Sequence, residues 1–251
     1  MQELASLTDV LGPWIAVFML AVARLSFVMF LLPGVGEQVI PIQMRTILLI
    51  SLAAAFSTTG VMSAPPLEPF TGYFGVLLGE LAIGLFLGVS LRLTIWMLTI
   101  AGSVIAQSIG LAQFLGVALE HEAQTLTANL LSMAGAAVLV SANFQVMAVA
   151  SFLSLYGEIP VGAFGALDME FFINSGFAAV GYALLLAWPF VAVNLLYNIC
   201  LGFINKALPQ LMVAFVGAPF MVGAGVFLLA VSIIGLLIVW KDRALQVIGW
   251  M

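Results

Sequence analysis

One formal charge, Lys206, interrupts the apolar sequence between Glu170 and Lys241. A water-soluble fold needs a polar surface, and a stretch of this kind cannot provide one. The whole chain shares the property, because 64% of its residues are hydrophobic and 7% are charged, against roughly 25% charged residues in soluble domains. The sequence therefore predicts an integral membrane protein of the all-α class.

Length, charge and cysteine content narrow the possibilities further. None of the 251 residues belongs to a polar segment long enough to fold separately, so a single domain, residues 1–251, is expected. One cysteine, Cys200, excludes an internal disulfide, and together with one histidine it cannot complete a usual zinc site. The first apolar run has no basic flank and is too long for a signal peptide, so we expect it to be retained. The net charge of −5 argues against a nucleic-acid partner.

Hydropathy divides the chain into about six long apolar helical segments. About 20 helical residues are enough to cross a hydrocarbon core of about 30 Å. The segments cover residues 11–32, 46–63, 73–119, 125–156, 171–203 and 208–240. Pro13 is expected in the first turn of the first segment. The last two segments form a hairpin, are longer than a perpendicular span requires and carry Pro189 and Pro219, so we expect tilted, kinked or partly extramembranous helices there. The six basic residues show no regular alternation, which leaves the number of true crossings open.

Small residues recur at a spacing of four, which places them on one face of a helix. Such stripes let helix backbones approach closely in a membrane, where the hydrophobic effect does not drive helix association. The stripes that we expect to pack against other helices are Gly75 with Gly79, Gly84 with Gly88, and Gly102 with Ala106 and Gly110. The simpler alternative is that glycine is common in membrane helices.

Arg24, Glu80 and Arg92 lie inside apolar segments, where a charge must face protein, water or an interface. On one helix the separation of Glu80 from Arg92 corresponds to about 18 Å and about 120° of rotation, so these two cannot pair directly. Each therefore needs a partner elsewhere. For Glu80 we favour a structural pair with a basic residue, and a role as a proton or ion carrier is the alternative.

The segment from Gly110 to Gln124, GLAQFLGVALEHEAQ, differs from its apolar surroundings. Its distinctive residues include Gln113, Phe114, Leu115, Gly116 and Glu120. The histidine between two glutamates suggests acid–base chemistry, but adjacent helical residues point in different directions and no second histidine completes a catalytic set. We expect a loop or a pore-lining segment here, with an ordinary helix end as the alternative.

The usual sequence signatures of enzymes are absent. The chain has no Gly-rich phosphate loop ending in Gly-Lys-Ser/Thr, no nucleophile elbow and no cofactor fingerprint. Its one histidine and one cysteine do not form a metal-ligand cluster. We therefore expect a protein that is not an enzyme and that needs no cofactor.

The C-terminal segment carries an ordered set of residues that resembles the signature of the FliR family. The set is Asn198, Leu201, Gly202, Asn205, Lys206, Pro209, Gln210, Gly217 and Pro219, and Asn205-Lys206 followed by proline predicts the end of one long helix before the next begins. Earlier patterns resemble the same family: Arg24, Pro33, Gly36, Pro41 and Arg45; then Glu80, Gly84, Gly88, Gly102 and Gly110; then Asn143 and the string Ile159, Pro160, Val161 and Gly162. The sequence departs from the family at Glu120-His121, where Asp-Pro is common, and at Phe144-Gln145, where Gly-His is common.

The resemblance implies a role in protein export. FliR chains are membrane components of the flagellar type III export apparatus, with counterparts in the SctT family of virulence injectisomes. The resemblance implies bent helices, packed as hairpins with FliP-like and FliQ-like membrane subunits in a hetero-oligomeric export gate for unfolded flagellar substrate proteins. FlhB-like and FlhA-like components associate with such a gate.

The resemblance also implies a place and a moving part. The place is the flagellar basal body in the bacterial inner (cytoplasmic) membrane. The moving part is a loop that helps to plug the closed channel, and the matching positions are about Gly110 to Gln124. From the residues alone, the alternative function is a small-molecule or ion secondary transporter, which Pro189, Pro219 and Glu80 would suit.

Overall fold

Seven α-helices make up most of the described chain. The computed structural model describes residues 2–37, 40–60, 62, 70–110, 120–207 and 213–248, and no strand occurs among them. The helices are α1 (Gln2–Leu31), α2 (Ile42–Thr58), α3 (Phe70–Ile109), α4 (Glu120–Ser141), α5 (Phe144–Glu158), α6 (Met169–Ala207) and α7 (Val213–Ile248). A one-turn 3₁₀ helix, Phe164–Ala166, lies between α5 and α6. The predicted all-α class is confirmed.

Four of these helices are long and apolar enough to cross a membrane. Their candidate spans are Gly12–Leu31, Thr71–Ile109, Met169–Ala207 and Gly217–Ile248. The pair Leu126–Ser141 and Phe144–Glu158 qualifies jointly as a fifth, with a bend of 68° at its break. At 1.5 Å per residue, a 39-residue span is about 58 Å long, almost twice the hydrocarbon thickness. The membrane class is confirmed, with four or five candidate crossings in the described residues.

The apolar segment 125–156 is two helices rather than one. Asn143 adopts the left-handed conformation, with φ 57° and ψ 28°, a region that asparagine tolerates better than most residues. Its amide donates to the carbonyl of Val140, and its carbonyl accepts the amides of Val146 and Met147. This turn ends α4 and begins α5, so six apolar segments become seven helices.

Pro13 lies at a different place in its helix from the one that the sequence predicted. Pro13 is inside α1, because this helix begins at Gln2; hydropathy locates the apolar part of a helix and misses its polar extension. Pro189 and Pro219 lie inside α6 and α7, and both helices continue through them. The predicted helix end near Lys206 agrees with the structure, in which α6 ends at Ala207.

Two compact units group these helices. The first comprises Met1–Leu93, Leu139–Ser175 and Leu245–Met251, and the second comprises Thr94–Val138 and Gly176–Ala244. Buried apolar side chains of the first unit include Leu20, Leu25, Val28, Ile83, Leu91 and Phe152. Those of the second unit include Leu98, Ile105, Leu131, Ala183, Ala187 and Trp240. Whether residues 1–251 behave as one domain stays a prediction.

Candidate functional site

Arg24 and Glu80 form an ion pair in the interior of the first unit. Arg24 Nε donates to Glu80 Oε2 at 2.5 Å, and Nη2 donates to Oε1 at 3.0 Å. The side chains are 3% and 0% exposed. A guanidinium and a carboxylate bind each other well through two parallel hydrogen bonds. Glu80 thus has a basic partner, and Arg24 faces protein rather than lipid, as a charge inside an apolar helix requires.

The same pair holds the backbone turn that follows α5. Arg24 Nη1 donates to the carbonyl oxygen of Ile159 at 3.0 Å, and the amide of Gly162 donates to Glu80 Oε1 at 2.9 Å. The Tyr156 ring lies 4.1 Å from the Arg24 Cζ, a cation–π contact. We call Arg24, Glu80, Tyr156, Ile159 and Gly162 the Arg24–Glu80 cluster. It joins α1, α3, the end of α5 and the turn beyond it.

Two glycines of α3 bring α1 close to this cluster. A Cβ atom built on Gly84 would lie 2.8 Å from the carbonyl carbon of Arg24, and one on Gly88 would lie 2.8 Å from the carbonyl oxygen of Phe27. Contacts this short with backbone are not tolerated, so glycine alone fits without a shift of α1. Glu80 and Gly84 lie one turn apart on the same helix face. The close approach at Gly84 therefore places the Arg24 side chain within reach of Glu80.

The other predicted packing residues have different surroundings. A Cβ built on Gly75 meets nothing within 4 Å in the described chain, and one on Gly79 meets only Phe164, at an ordinary 3.7 Å. In the second unit, a Cβ on Gly102 would lie 2.7 Å from the Cα of Ala128 in α4. Ala106 is buried one turn further along α3. The stripes thus include close helix contacts at Gly84, Gly88 and Gly102, and open space at Gly75.

A second ion pair fixes the connector between α1 and α2. Arg92 Nη1 donates to Glu37 Oε1 at 2.6 Å, and both side chains are partly exposed. Arg45, in the first turn of α2, donates to the carbonyl oxygens of Glu37 and Ile40. Pro41 caps this helix, and its carbonyl accepts the amide of Arg45 at 3.4 Å. Two arginines from two helices therefore hold one connector.

The break between α4 and α5 touches the same connector. Gln145 Nε2 donates to the carbonyl of Pro33 at 3.3 Å. Gly34 has φ +83°, and a Cβ there would lie 2.7 Å from Val140 Cγ2. Pro33 belongs to the first family pattern, and the helix break at Asn143 belongs to the pattern before the final hairpin. The two regions lie close together in space, although they are far apart in sequence.

The C-terminal signature lies on α6 and α7 of the second unit. The Asn198 side chain donates to the carbonyl and side-chain oxygens of Asn194, both at 2.9 Å. Gly202, Asn205 and Lys206 are exposed, and no described acidic residue pairs with Lys206.

The remaining signature residues lie on α7 or outside the described chain. A Cβ on Gly217 would lie 3.3 Å from Tyr197 Cζ, so α6 and α7 approach closely there. Pro219 is exposed. Pro209 and Gln210 lie outside the described residues.

The expected plug segment is described only at its two ends. Gly110 follows α3 with φ +75°, and its amide donates to the carbonyl of Gln107 at 3.1 Å. The backbone of α4 begins at Glu120. Gln113, Phe114, Leu115 and Gly116 lie outside the described residues, so the plug assignment stays a prediction.

Several residues with structural contacts were not predicted from the sequence: Glu37 and Tyr156 in the first unit, and Gly225 and Trp240 in the second. Gln145 was noted only as a departure from the family. Trp240 is fully buried, and its Nε1 donates to the Thr94 carbonyl at 2.8 Å. A Cβ on Gly225 would lie 2.7 Å from Ile109 Cγ2. The sequence carries no signal for either residue, because the glycines of α7 do not recur at a spacing of four and Trp240 is one tryptophan among five. No group of three or more metal-ligating side chains occurs among the described residues.

Fold and site together define an all-α integral membrane protein whose buried charges hold backbone turns. The family described as bacterial export proteins, family 1, matches residues 15–247. The chain belongs to this family. It is therefore a bacterial export protein, and the secondary-transporter alternative is not favoured.

Similar proteins share most of the chain. Flagellar biosynthetic protein FliR of Caulobacter vibrioides is 28% identical over 233 residues, which cover 89% of this chain and 91% of that protein. The protein of the same name from Aquifex aeolicus is 27% identical over 220 residues, 86% of this chain and 84% of that protein. Its namesake from Escherichia coli is 22% identical over 225 residues, with the same two shares.

Proposed function

We propose that the chain is a membrane component of the flagellar type III export gate, where it helps to form the channel and to close it. The observation that carries the proposal is the family match over residues 15–247. The long apolar helices agree with it, because a channel wall for an unfolded polypeptide needs membrane-embedded helices rather than a soluble domain. The gate lies in the bacterial inner membrane, in the flagellar basal body.

Uncovered helix faces in the second unit support assembly with other subunits. In the candidate spans of α6 and α7, 22% and 11% of the residues in an apolar stretch of 18 residues are buried. The large exposed side chains there include Phe177, Phe203, Phe220 and Phe227. In a membrane such faces contact lipid or neighbouring helices. The neighbours that we propose are FliP-like and FliQ-like subunits, with FlhB-like and FlhA-like components at the gate.

The channel must hold back ions when it is closed and pass unfolded flagellar substrates when it is open. An apolar constriction achieves the first task by dewetting, without a charged lock. We assign this task to the segment from Gly110 to Gln124, whose bulky apolar residues are Phe114 and Leu115. The chain acts as wall and plug rather than as an enzyme, and it needs no cofactor and no nucleic acid.

Secretion by living cells tests the proposal. Deletion of the gene should stop the release of flagellar filament protein into the medium while its intracellular synthesis continues, and a plasmid copy should restore release. Normal secretion by the deletion strain would contradict the proposed function. Uptake of ions and small solutes by the same strain separates a transporter from an export component, since only a transporter predicts a substrate-specific defect.

A further inference from the structure

The turn at Ile159–Gly162 lies beside a membrane-spanning helix without being helical itself. A Cβ on Gly162 would contact the Val76 side chain of α3 at 3.5 Å, and Phe164 lies against Gly79. Glu80 is nine residues into the candidate span that begins at Thr71, or about 14 Å along its axis. Backbone that is not helical leaves amide and carbonyl groups without partners inside a helix, so these groups must form other hydrogen bonds.

Arg24 and Glu80 supply those partners on both sides of the turn. One arm of the guanidinium binds the Ile159 carbonyl, and one carboxylate oxygen binds the Gly162 amide. Arg24 Nε and Nη2 donate to Glu80 Oε2 and Oε1, so Oε1 accepts from both Arg24 and Gly162. Glu80 is therefore fully engaged and fully buried. A carboxylate that carries protons or ions needs access to water, which this one lacks among the described residues.

We propose that Arg24 and Glu80 are positioning residues, which clamp the turn after α5 onto α1 and α3 and so fix where α6 begins. The ring contact between Phe86 of α3 and Phe172, at 4.5 Å between centroids, shows that the first turns of α6 lie against α3 just beyond the clamp. The clamp thus sets the start of the helix that carries Asn198, Gly202 and Lys206. The role of the clamp in export rests on the proposed function, whereas the contacts that form the clamp do not.

A disulfide between α3 and the 3₁₀ helix reports the position of the turn directly. The Cβ positions of Gly79 and Phe164 are 3.7 Å apart, which suits a disulfide. In a Cys200→Ser background, Gly79→Cys with Phe164→Cys should cross-link readily in native membranes. Adding Glu80→Gln should slow cross-linking by about tenfold or more, because loss of one member of a buried ion pair leaves the other uncompensated. Glu37→Gln is the matched control: it breaks the partly exposed pair with Arg92 and should leave the cross-link unchanged.

A neutral pair separates clamping from ion transport. Arg24→Gln together with Glu80→Gln leaves no unpaired buried charge and retains amide donors and acceptors, so cross-linking and secretion should recover relative to Glu80→Gln alone. An unchanged cross-linking rate in Glu80→Gln would overturn the proposal. So would a double variant no better than the single one, or a Glu80→Gln protein that cross-links normally while secretion stops.

A conservative variant covers the case in which Glu80→Gln does not accumulate. Glu80→Asp keeps the charge but shortens the side chain by one methylene, so the carboxylate cannot reach Arg24 and the Gly162 amide together. Slower cross-linking in Glu80→Asp supports the clamp, and a normal rate overturns it. Normal secretion by every variant and by the deletion strain would count against the proposed function, and the cross-linking rates would still decide whether the clamp exists.

Discussion

Replacing Gly84 with alanine tests the close approach of α1 and α3. The new methyl group would lie 2.8 Å from the carbonyl carbon and 3.1 Å from the Cα of Arg24, both backbone atoms that move only with α1. Overpacking of this kind costs about 1–3 kcal/mol. Alanine also favours a helix over glycine by about 1 kcal/mol, so the two effects oppose each other.

Gly75→Ala is a matched control on the same helix, because a Cβ there meets nothing within 4 Å in the described chain. It gains the helix preference without the clash. The stability difference between Gly84→Ala and Gly75→Ala should therefore equal the clash, about 1–3 kcal/mol. For a chain of this size each kcal/mol shifts the thermal midpoint by about 2–4 °C.

The assay is the fraction of detergent-solubilised complex that stays assembled on a native gel after heating to a series of temperatures. Gly84→Ala should dissociate several degrees below Gly75→Ala. The larger change, Gly84→Leu with Gly88→Leu, should abolish assembly while translation and membrane insertion continue. Equal midpoints for the two alanine variants, or a complex of normal size from the leucine variant, would refute the reasoning.

Three further predictions concern other parts of the chain. Lys206→Arg should preserve motility and complex yield better than Lys206→Met, because an exposed cation at the end of α6 suits the helix C-terminus or an acidic partner. Equal motility and complex yield in the two variants would indicate a lysine that only extends to the membrane–water interface. Trp240→Phe should destabilise the protein by about 1 kcal/mol or more through loss of the hydrogen bond to the Thr94 carbonyl, and an unchanged thermal midpoint would contradict this. Deletion of residues 111–115 should leave the complex assembled but leaky, so that cells admit small ions or dyes and grow poorly. Normal membrane conductance in cells with the assembled deletion variant would indicate that another subunit forms the seal.

The helices were largely predictable from the sequence, because an apolar run long enough to cross a bilayer has few other structures available to it. The break at Asn143 was not, since one left-handed residue changes the direction of the chain without changing its hydropathy. The start of α1 was also missed. Its first residues are polar enough to lie outside the apolar run although they are helical.

The requirement for charge pairing was predictable, but the partners were not. The positions of Glu80 and Arg92 on one helix excluded an ion pair between them. Each residue therefore needed a partner on another part of the chain. Arg24 and Glu37 became the partners because the connector and α1 lie against α3, and only the three-dimensional arrangement determines that. The hydrogen bonds to the backbone of Ile159 and Gly162 were even less predictable, because every residue type offers a carbonyl and nearly every one an amide.

The composition of the complex tests the central claim most directly. A tagged copy of the chain, expressed at its natural level and purified from native membranes in mild detergent, can be analysed by quantitative mass spectrometry. FliP-like and FliQ-like subunits should co-purify in a constant ratio to the chain. Gly84→Leu with Gly88→Leu should remove them, and Gly75→Ala should not. A chain that purifies alone, or only with copies of itself, from cells that make those subunits would contradict its place in the export gate.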